Sequence, residues 1–289
     1  MSAITQGAFT AAFPWPAPAK LNLFLHVTGR RSDGYHELQT LFQFLDHGDS
    51  LFFVPRGDGV IRRIDGPDGI DEADDLAIRA ARAIQQASGC NLGADIRLEK
   101  RLPIGGGLGG GSSNAATTLI ALNRYWNLGL PNDELAQIGL RLGADVPVFV
   151  RGLAAWAEGV GEQLRPVTPP EPWYLVVTPP VAVSTAEIFA APELQRDHPL
   201  VRYEDYLDGA THNVFEPVTC ARHPEVRAAL DALAQHAPAR MSGTGASVFA
   251  AFEERSAATA VQRTLPPQWR SFVARGCNRS PLLDAVSRS

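Results

Sequence analysis

The chain has 289 residues, with 26 Lys and Arg against 31 Asp and Glu, and 45 % of its side chains are apolar. At roughly 150 residues per domain this length fits about two domains, and the apolar share rules out disorder for most of the chain. A net charge of −5 argues against broad contact with nucleic acid or an anionic membrane, since both need clustered cations.

Cys90, Cys220 and Cys277 are widely spaced and odd in number, so they form no disulfide framework and predict a reducing, cytoplasmic setting. Met1 to Lys20 has no basic start and no apolar core of signal type, and carries Pro14, Pro16 and Pro18. Residues before Pro14 are expected to form a floppy leader. No stretch reaches the about 18 apolar residues of a membrane span.

In chain order, the first element is Lys20 to Val27, in which Leu21, Leu23, Leu25 and Val27 alternate with Lys20, Asn22, Phe24 and His26. That period of two predicts a half-buried strand. A turn over 29–34 leads to further strands at 38–45 and 51–54. Asp74 to Ser88, Ala-rich and ended by Gly89, predicts a helix with a glycine cap. A strand at 94–99 is followed by glycines at 105–111, a helix to about Trp126 and another from Asn132 to Leu142. Proline is dense between Pro166 and Pro192, the best place for a hinge. Strands at 173–177, 248–252 and 271–274 then alternate with helices near 224–236 and 257–264. Mixed elements in both halves predict two α+β domains, divided as 1–162 and 163–289.

The segment from Pro103 to Asn114 carries the most chemical information. Six of the seven residues at 105–111 are glycine, which would be costly inside any helix or strand. Between a strand and an apolar helix, such bare backbone lets amide N–H groups and a helix N-terminus converge on an anion. Ser112, Ser113 and Asn114 are placed to cap that helix or to donate to phosphate oxygens. A flexible linker is the bland alternative. A Walker A loop is excluded because no Lys ends the run. Gly105, Gly107 and Gly110 satisfy the G-x-G-x-x-G dinucleotide template, but a glycine-rich run fits almost any such template. The loop also lacks the first-unit position and the following acid that the template expects, so hydride chemistry ranks second.

Pro103-Ile-Gly-Gly-Gly-Leu-Gly-Gly-Gly-Ser-Ser-Asn114 closely resembles the phosphate loop of the GHMP kinase superfamily. Pro18-Ala-Lys-Leu-Asn-Leu-Phe-Leu25, with Arg31 to His36, is similar to the N-terminal signature of the 4-diphosphocytidyl-2-C-methyl-D-erythritol kinases within it. Leu142-Gly-Ala-Asp-Val-Pro-Val-Phe149 and Ser242-Gly-Thr-Gly-Ala246 resemble that family's remaining blocks, so the likeness runs from about Pro18 to Pro281. It implies a two-domain GHMP kinase fold with the active site between the domains. The N-terminal domain would bind ATP, and the C-terminal domain would hold substrate. The implied activity is ATP-dependent phosphorylation of the 2-hydroxyl of the cytidine diphosphate-linked methylerythritol, in the non-mevalonate route to isopentenyl diphosphate.

The same resemblance implies a role for each matching residue. Residues Pro103, Ile104, Gly105, Gly106, Gly107, Leu108, Gly109, Gly110, Gly111, Ser112, Ser113 and Asn114 would hold the ATP phosphates. Asp145 would be the base and Lys20 its catalytic partner. Tyr35 and Phe189 would sandwich the cytosine, whose edge His36 reads. Asn22, Gly243, Thr244 and Gly245 would contact the rest of the substrate. Mg²⁺ is expected with ATP; no carboxylate cluster marks a site for it, and Ser113 is the candidate contact.

By position alone these residues have plainer readings: Asp145 a loop carboxylate capping amides, Lys20 a solvated strand lysine, Phe189 core, and 242–247 a tight hairpin corner. Asp75-Leu76 departs from the Asn-Leu that relatives commonly carry near adenine, and Thr211 to Pro217 is a variant of a family stretch in which Asn213 and Glu216 survive without an assigned role. A mevalonate or homoserine kinase is the competing activity, and a nucleotide-binding protein without catalysis is a third reading. Tyr35, His36 and Phe189 discriminate, because those substrates carry no base to stack. The sequence leaves the oligomeric state open.

Overall fold

The computed structural model describes residues 13–32 and 34–287. The leader before Pro14, apart from Phe13, and Asp33 of the first turn lie outside these residues. Two long antiparallel strands form the spine: β1 (Trp15–Arg30) and β2 (His36–Arg56). Where the sequence predicted two strands at 38–45 and 51–54, the residues between them continue the ladder as one 21-residue strand. β2 also pairs with β4 (Gly93–Glu99), with β5 (Ala155–Glu158) and, at Phe44 and Leu45, with β10 (Arg270–Cys277). β10 carries the sheet on to β7 (Trp173–Thr178), β9 (Val248–Phe252) and β8 (Ala239–Met241). β3 (Ile61–Asp65) lies parallel to β4 at one edge, and β6 (Gln163–Pro166) closes a hairpin with β5.

Apolar helix faces cover the sheet in two groups. Helices α1 (Leu76–Ser88), α2 (Gly110–Tyr125), α3 (Asn132–Leu140) and α4 (Val146–Arg151) join Trp15, Phe44, Phe53 and Ile96 in a first core. α5 (Thr185–Ala190), α7 (Glu216–Arg222) and α8 (Pro224–Ala234) join Leu175, Val177 and Val248 in a second. α9 (Arg255–Gln262) adds Ala258 to it, whereas α6 (Tyr203–Leu207) packs Tyr203 and Tyr206 against the cluster between the two. A third cluster, with Leu21, Phe24, Leu41, Leu108, Trp156 and Tyr174, joins the two. The last helix, α10 (Pro281–Val286), returns to the first core, where Leu282 is fully buried.

α1 has the predicted glycine stop, Gly89 capping its end at φ 66°, but starts two residues later than expected, at Leu76, because Asp75 is its N-cap and accepts from the Ala77 amide. β1 departs from expectation. It begins at Trp15, five residues earlier than its periodicity indicates, because Pro16 and Pro18 fall within the strand. It is also buried on both faces, so Lys20, Asn22 and His26 are interior residues. Irregular register between Asn22 and Leu25, and again between Val27 and Gly29, interrupts simple alternation along it.

Candidate active site

The β1–β2 hairpin, the glycine loop, the N-terminus of α4, helix α5 and the 242–245 turn surround a cleft of about 1030 Å³. Lys20 and Asn22, two apart on β1, point to the same side of the strand. The Lys20 ammonium donates to Asn22 Oδ1 at 2.5 Å and lies 3.2 Å from Asp145 Oδ2. Lys20 is nearly buried, whereas a third of the Asp145 side chain faces the cleft. Asp145 sits at the N-cap position of α4, yet its carboxylate makes no capping bond. The capping role is therefore replaced by an ion pair beside open space. Asn22 is fixed in turn: its Nδ2 donates to Thr40 Oγ1 at 3.0 Å, and that hydroxyl donates to the Phe24 carbonyl.

The glycine loop is held by its surroundings and not by its own side chains. The Lys20 amide donates to the Leu108 carbonyl at 3.0 Å, and Leu108 is buried in the central cluster. Ser242 Oγ donates to the Gly107 carbonyl at 2.9 Å, and the Ser247 amide to the Gly106 carbonyl at 3.1 Å. The second glycine turn therefore braces the first. Gly107 has φ +74°, and a Cβ there would meet the Ser242 carbonyl oxygen at 2.2 Å. Only glycine fits this approach.

α2 opens at Gly110 with Gly109 as N-cap, and no side chain caps it. Here the expectation that Ser112, Ser113 or Asn114 caps the helix is corrected: they lie inside its first turns. Ser112 faces the cleft, while Ser113 and Asn114 are buried, with Ser113 Oγ and Asn114 Oδ1 lacking any hydrogen-bond partner. The uncapped amides and the positive helix end make a seat for an anion.

At the far end, a tight turn with Gly34 at φ +90° delivers Tyr35 and His36 to the cleft, the Tyr35 ring 65 % exposed. His36 and Phe189 face each other at 5.2 Å between ring centroids. Arg196, which sequence reasoning missed, organises this end. Its Nε donates to His36 Nε2 at 3.2 Å, and its other nitrogens donate to the carbonyls of Phe189, Ala191 and Leu194. A guanidinium only donates, so Nε2 is the bare nitrogen of His36 and the proton sits on Nδ1. Burial, then Arg196 and Arg30, hold the His36 pKa below its ordinary value.

Of the remaining predicted site residues, Gly109, Gly243 and Thr244 line the cleft with Gly107. Pro103, Ile104, Gly105, Gly106, Gly110, Gly111 and Gly245 do not; Ile104 is largely exposed. Asn213 and Glu216 acquire a bracing role. Asn213 Nδ2 donates to the Met241 and Gly243 carbonyls, both at 2.8 Å, and Glu216 accepts from the Met241 amide. Asp75 is accounted for by its cap and by an ion pair with Arg63 at 3.0 Å. A second missed cation, Lys100, pairs with buried Asp49, whose other oxygen accepts the amides of Arg101 and Leu102 at the loop entrance.

Comparison with known proteins shows the family. The family models for the GHMP kinases N terminal domain and the GHMP kinases C terminal domain match residues 75–153 and 190–270. A 4-diphosphocytidyl-2-C-methyl-D-erythritol kinase from Nitrosococcus oceani is 56 % identical over 95 % of this chain and 98 % of its own. One from Pseudomonas aeruginosa is 58 % identical over 92 % and 95 %. The chain belongs to the 4-diphosphocytidyl-2-C-methyl-D-erythritol kinase family of GHMP kinases. A crystal structure of 4-(cytidine 5'-diphospho)-2C-methyl-D-erythritol kinase superposes on it with a TM-score of 0.80 at 34 % identity, covering 91 % of this chain and 99 % of the other. Mevalonate kinase of Methanococcus jannaschii shares the fold alone, with a TM-score of 0.67 at 16 % identity over 93 % and 99 % of the two chains. The two-domain α+β GHMP fold implied by the motifs is therefore the fold of this 4-diphosphocytidyl-2-C-methyl-D-erythritol kinase family member. Among its described residues no helix is long and apolar enough to cross a membrane.

Proposed function

We propose that the chain transfers the terminal phosphoryl group of ATP to the 2-hydroxyl of 4-diphosphocytidyl-2-C-methyl-D-erythritol, a step of the methylerythritol phosphate route to isopentenyl diphosphate in the cytoplasm. One observation carries this reading: the Lys20–Asp145 pair, 3.2 Å apart, lies in a single cleft with Gly107, Gly109 and Ser112 of the glycine loop and with the aromatic end built on His36 and Phe189. Residues 1–162 are read as the ATP-binding domain and 163–289 as the substrate domain, with α10 packed back onto the first core.

In the proposed reaction the amides of Gly107 to Gly111 and the α2 terminus hold the triphosphate. Asp145 accepts the proton of the substrate hydroxyl, whose oxygen forms the new bond to the γ-phosphorus while the bond to the β-phosphate oxygen breaks and ADP leaves with that electron pair. Lys20 holds Asp145 in place and offsets negative charge on the transferred group. Mg²⁺ bound with the nucleotide would neutralise phosphate charge. Ser113 Oγ, buried without a partner at the helix mouth, is a protein oxygen that fits it.

At the other end Tyr35 and Phe189 would stack on the cytosine. Stacking contributes about 1–3 kcal/mol per base and tolerates any base, so selection falls to hydrogen bonds. The Nδ1–H of His36, fixed by Arg196, would donate to an acceptor on the pyrimidine edge. ADP release with 4-diphosphocytidyl-2-C-methyl-D-erythritol as acceptor tests the reading. Turnover is expected with it and not with mevalonate or homoserine. Folded protein that fails on the first acceptor, or prefers mevalonate, refutes it.

A further inference from the structure

Three histidines from separate segments meet beside β1, and none of them lines the cleft. The His198 amide donates to the Val27 carbonyl at 3.0 Å, and the Leu25 amide donates to the His212 carbonyl at 3.0 Å. These bonds hold the backbones of His198 and His212 against the stretch of strand that carries His26. The His26 and His198 rings stack 3.6 Å apart, and the His212 ring lies 4.9 Å and 5.1 Å from them. One ligand nitrogen from each residue falls within 4.8 Å of the other two.

A packed aromatic cluster would account for the stacking but not for the polar atoms. His26 is wholly buried, and its Nδ1 has no hydrogen-bond partner; its Nε2 has only a marginal contact, 3.5 Å from the His212 amide. An unpartnered polar atom in the interior costs about 1–3 kcal/mol, which a ligand would relieve. His198 Nδ1 lies 3.0 Å from the Pro199 carbonyl, so it carries the proton and leaves Nε2 with a free lone pair. That is the outer hydrogen bond a metal-bound histidine ordinarily makes. His212 is exposed and opens a path from solvent.

We propose that His26, His198 and His212 form a binding site for a transition-metal ion of the Zn²⁺ class. Three imidazole nitrogens without a carboxylate favour such an ion over Mg²⁺ or Ca²⁺, which take oxygen ligands. Zn–N bonds of about 2.0–2.1 Å need the nitrogens closer together than they now stand, and the two more accessible rings, His198 and His212, supply that movement. A fourth position would remain for water. Bound metal would clip the segment bearing His198 to β1, two residues along the chain from Arg196. The site does not depend on the kinase reading.

The test uses full-length protein without a histidine tag, stripped of metal and titrated with Co²⁺. The expected result is one equivalent bound, with the visible absorption of a four-coordinate nitrogen site, displaced by Zn²⁺ and accompanied by a rise in thermal midpoint. His198→Gln and His212→Gln, at accessible positions, should each weaken Zn²⁺ binding at least about tenfold, while His236→Gln leaves it unchanged. Absence of one-equivalent binding to the unsubstituted chain overturns the proposal whatever the variants do, as does equal Zn²⁺ affinity in the chain and both ligand variants.

Discussion

The Asp145 carboxylate makes no capping bond to the helix it precedes and is held by Lys20 at 3.2 Å, so its substitution tests chemistry apart from folding. Asp145→Asn should lower kcat on the order of 10²-fold with thermal midpoint and ATP affinity kept. A change below about threefold removes it as the base. Arg196 makes a subtler prediction. The His36 pKa lies below its ordinary value, so until the pH falls below about 6.5 His36 stays neutral and its Nε2 keeps accepting from Arg196, which holds the Nδ1–H toward the substrate. KM for the cytidine substrate should therefore be flat from pH 8 to that point and rise only in more acid solution. Arg196→Gln removes a neighbouring cation and should move that rise to higher pH, raising KM more than kcat. An unmoved profile would mean that Arg196 only supports the fold.

These two residues differ in how far the sequence reveals them. Lys20 and Asn22 share a strand face, which their spacing gives directly, but Lys20 and Asp145 are 125 positions apart and only the motif resemblance joins them. No local pattern announces Arg196: its role comes from the carbonyls of Phe189, Ala191 and Leu194, in the last turn of α5 and just beyond it.

Among the elements, the glycine loop is the one whose chemistry is written in its composition, and its bracing is what the composition omits. Gly105 and Gly107 both have positive φ, yet a Cβ at Gly105 meets nothing while one at Gly107 meets the Ser242 carbonyl oxygen at 2.2 Å. Gly105→Ala should cost only the backbone conformation, about 1 kcal/mol. Gly107→Ala should cost clearly more and raise KM for ATP, because the loop must leave the 242–245 turn. Equal thermal midpoints for the two variants would contradict that contact. The α1 helix was readable because its small apolar residues recur at helical spacing and Gly89 marks its end, while its N-cap, Asp75, lies one residue past the predicted start at Asp74. The full length of β2 was not, since Asp46, His47, Gly48 and Asp49 interrupt its apolar run while pairing continues through Gly48 and Asp49 opposite β1.

For the molecule as a whole, two helix-covered cores share one sheet, and β1 feeds both: Trp15 and Ala17 enter the first, Leu25 and Val27 the second. The dense prolines of 166–192 mark where the chain enters the second core, but nothing in the sequence indicates that 281–286 comes back to the first. Fully buried Leu282 anchors that return, so Leu282→Ala should destabilise the protein by about 2–5 kcal/mol, read as a lower denaturation midpoint with an unchanged pH profile of KM. A loss under about 0.5 kcal/mol would mean that α10 contributes little to the core. The shared sheet also keeps the glycine loop, Lys20 and the 242–245 turn in fixed register across the cleft.

The most direct measurement is a crystal structure of the protein with a non-hydrolysable ATP analogue and 4-diphosphocytidyl-2-C-methyl-D-erythritol. The triphosphate should lie on the amides between Gly107 and Gly111, and the substrate 2-hydroxyl should sit within hydrogen-bond distance of Asp145 and in line with the γ-phosphorus. A triphosphate bound elsewhere, or a hydroxyl out of reach of Asp145, would contradict the mechanism.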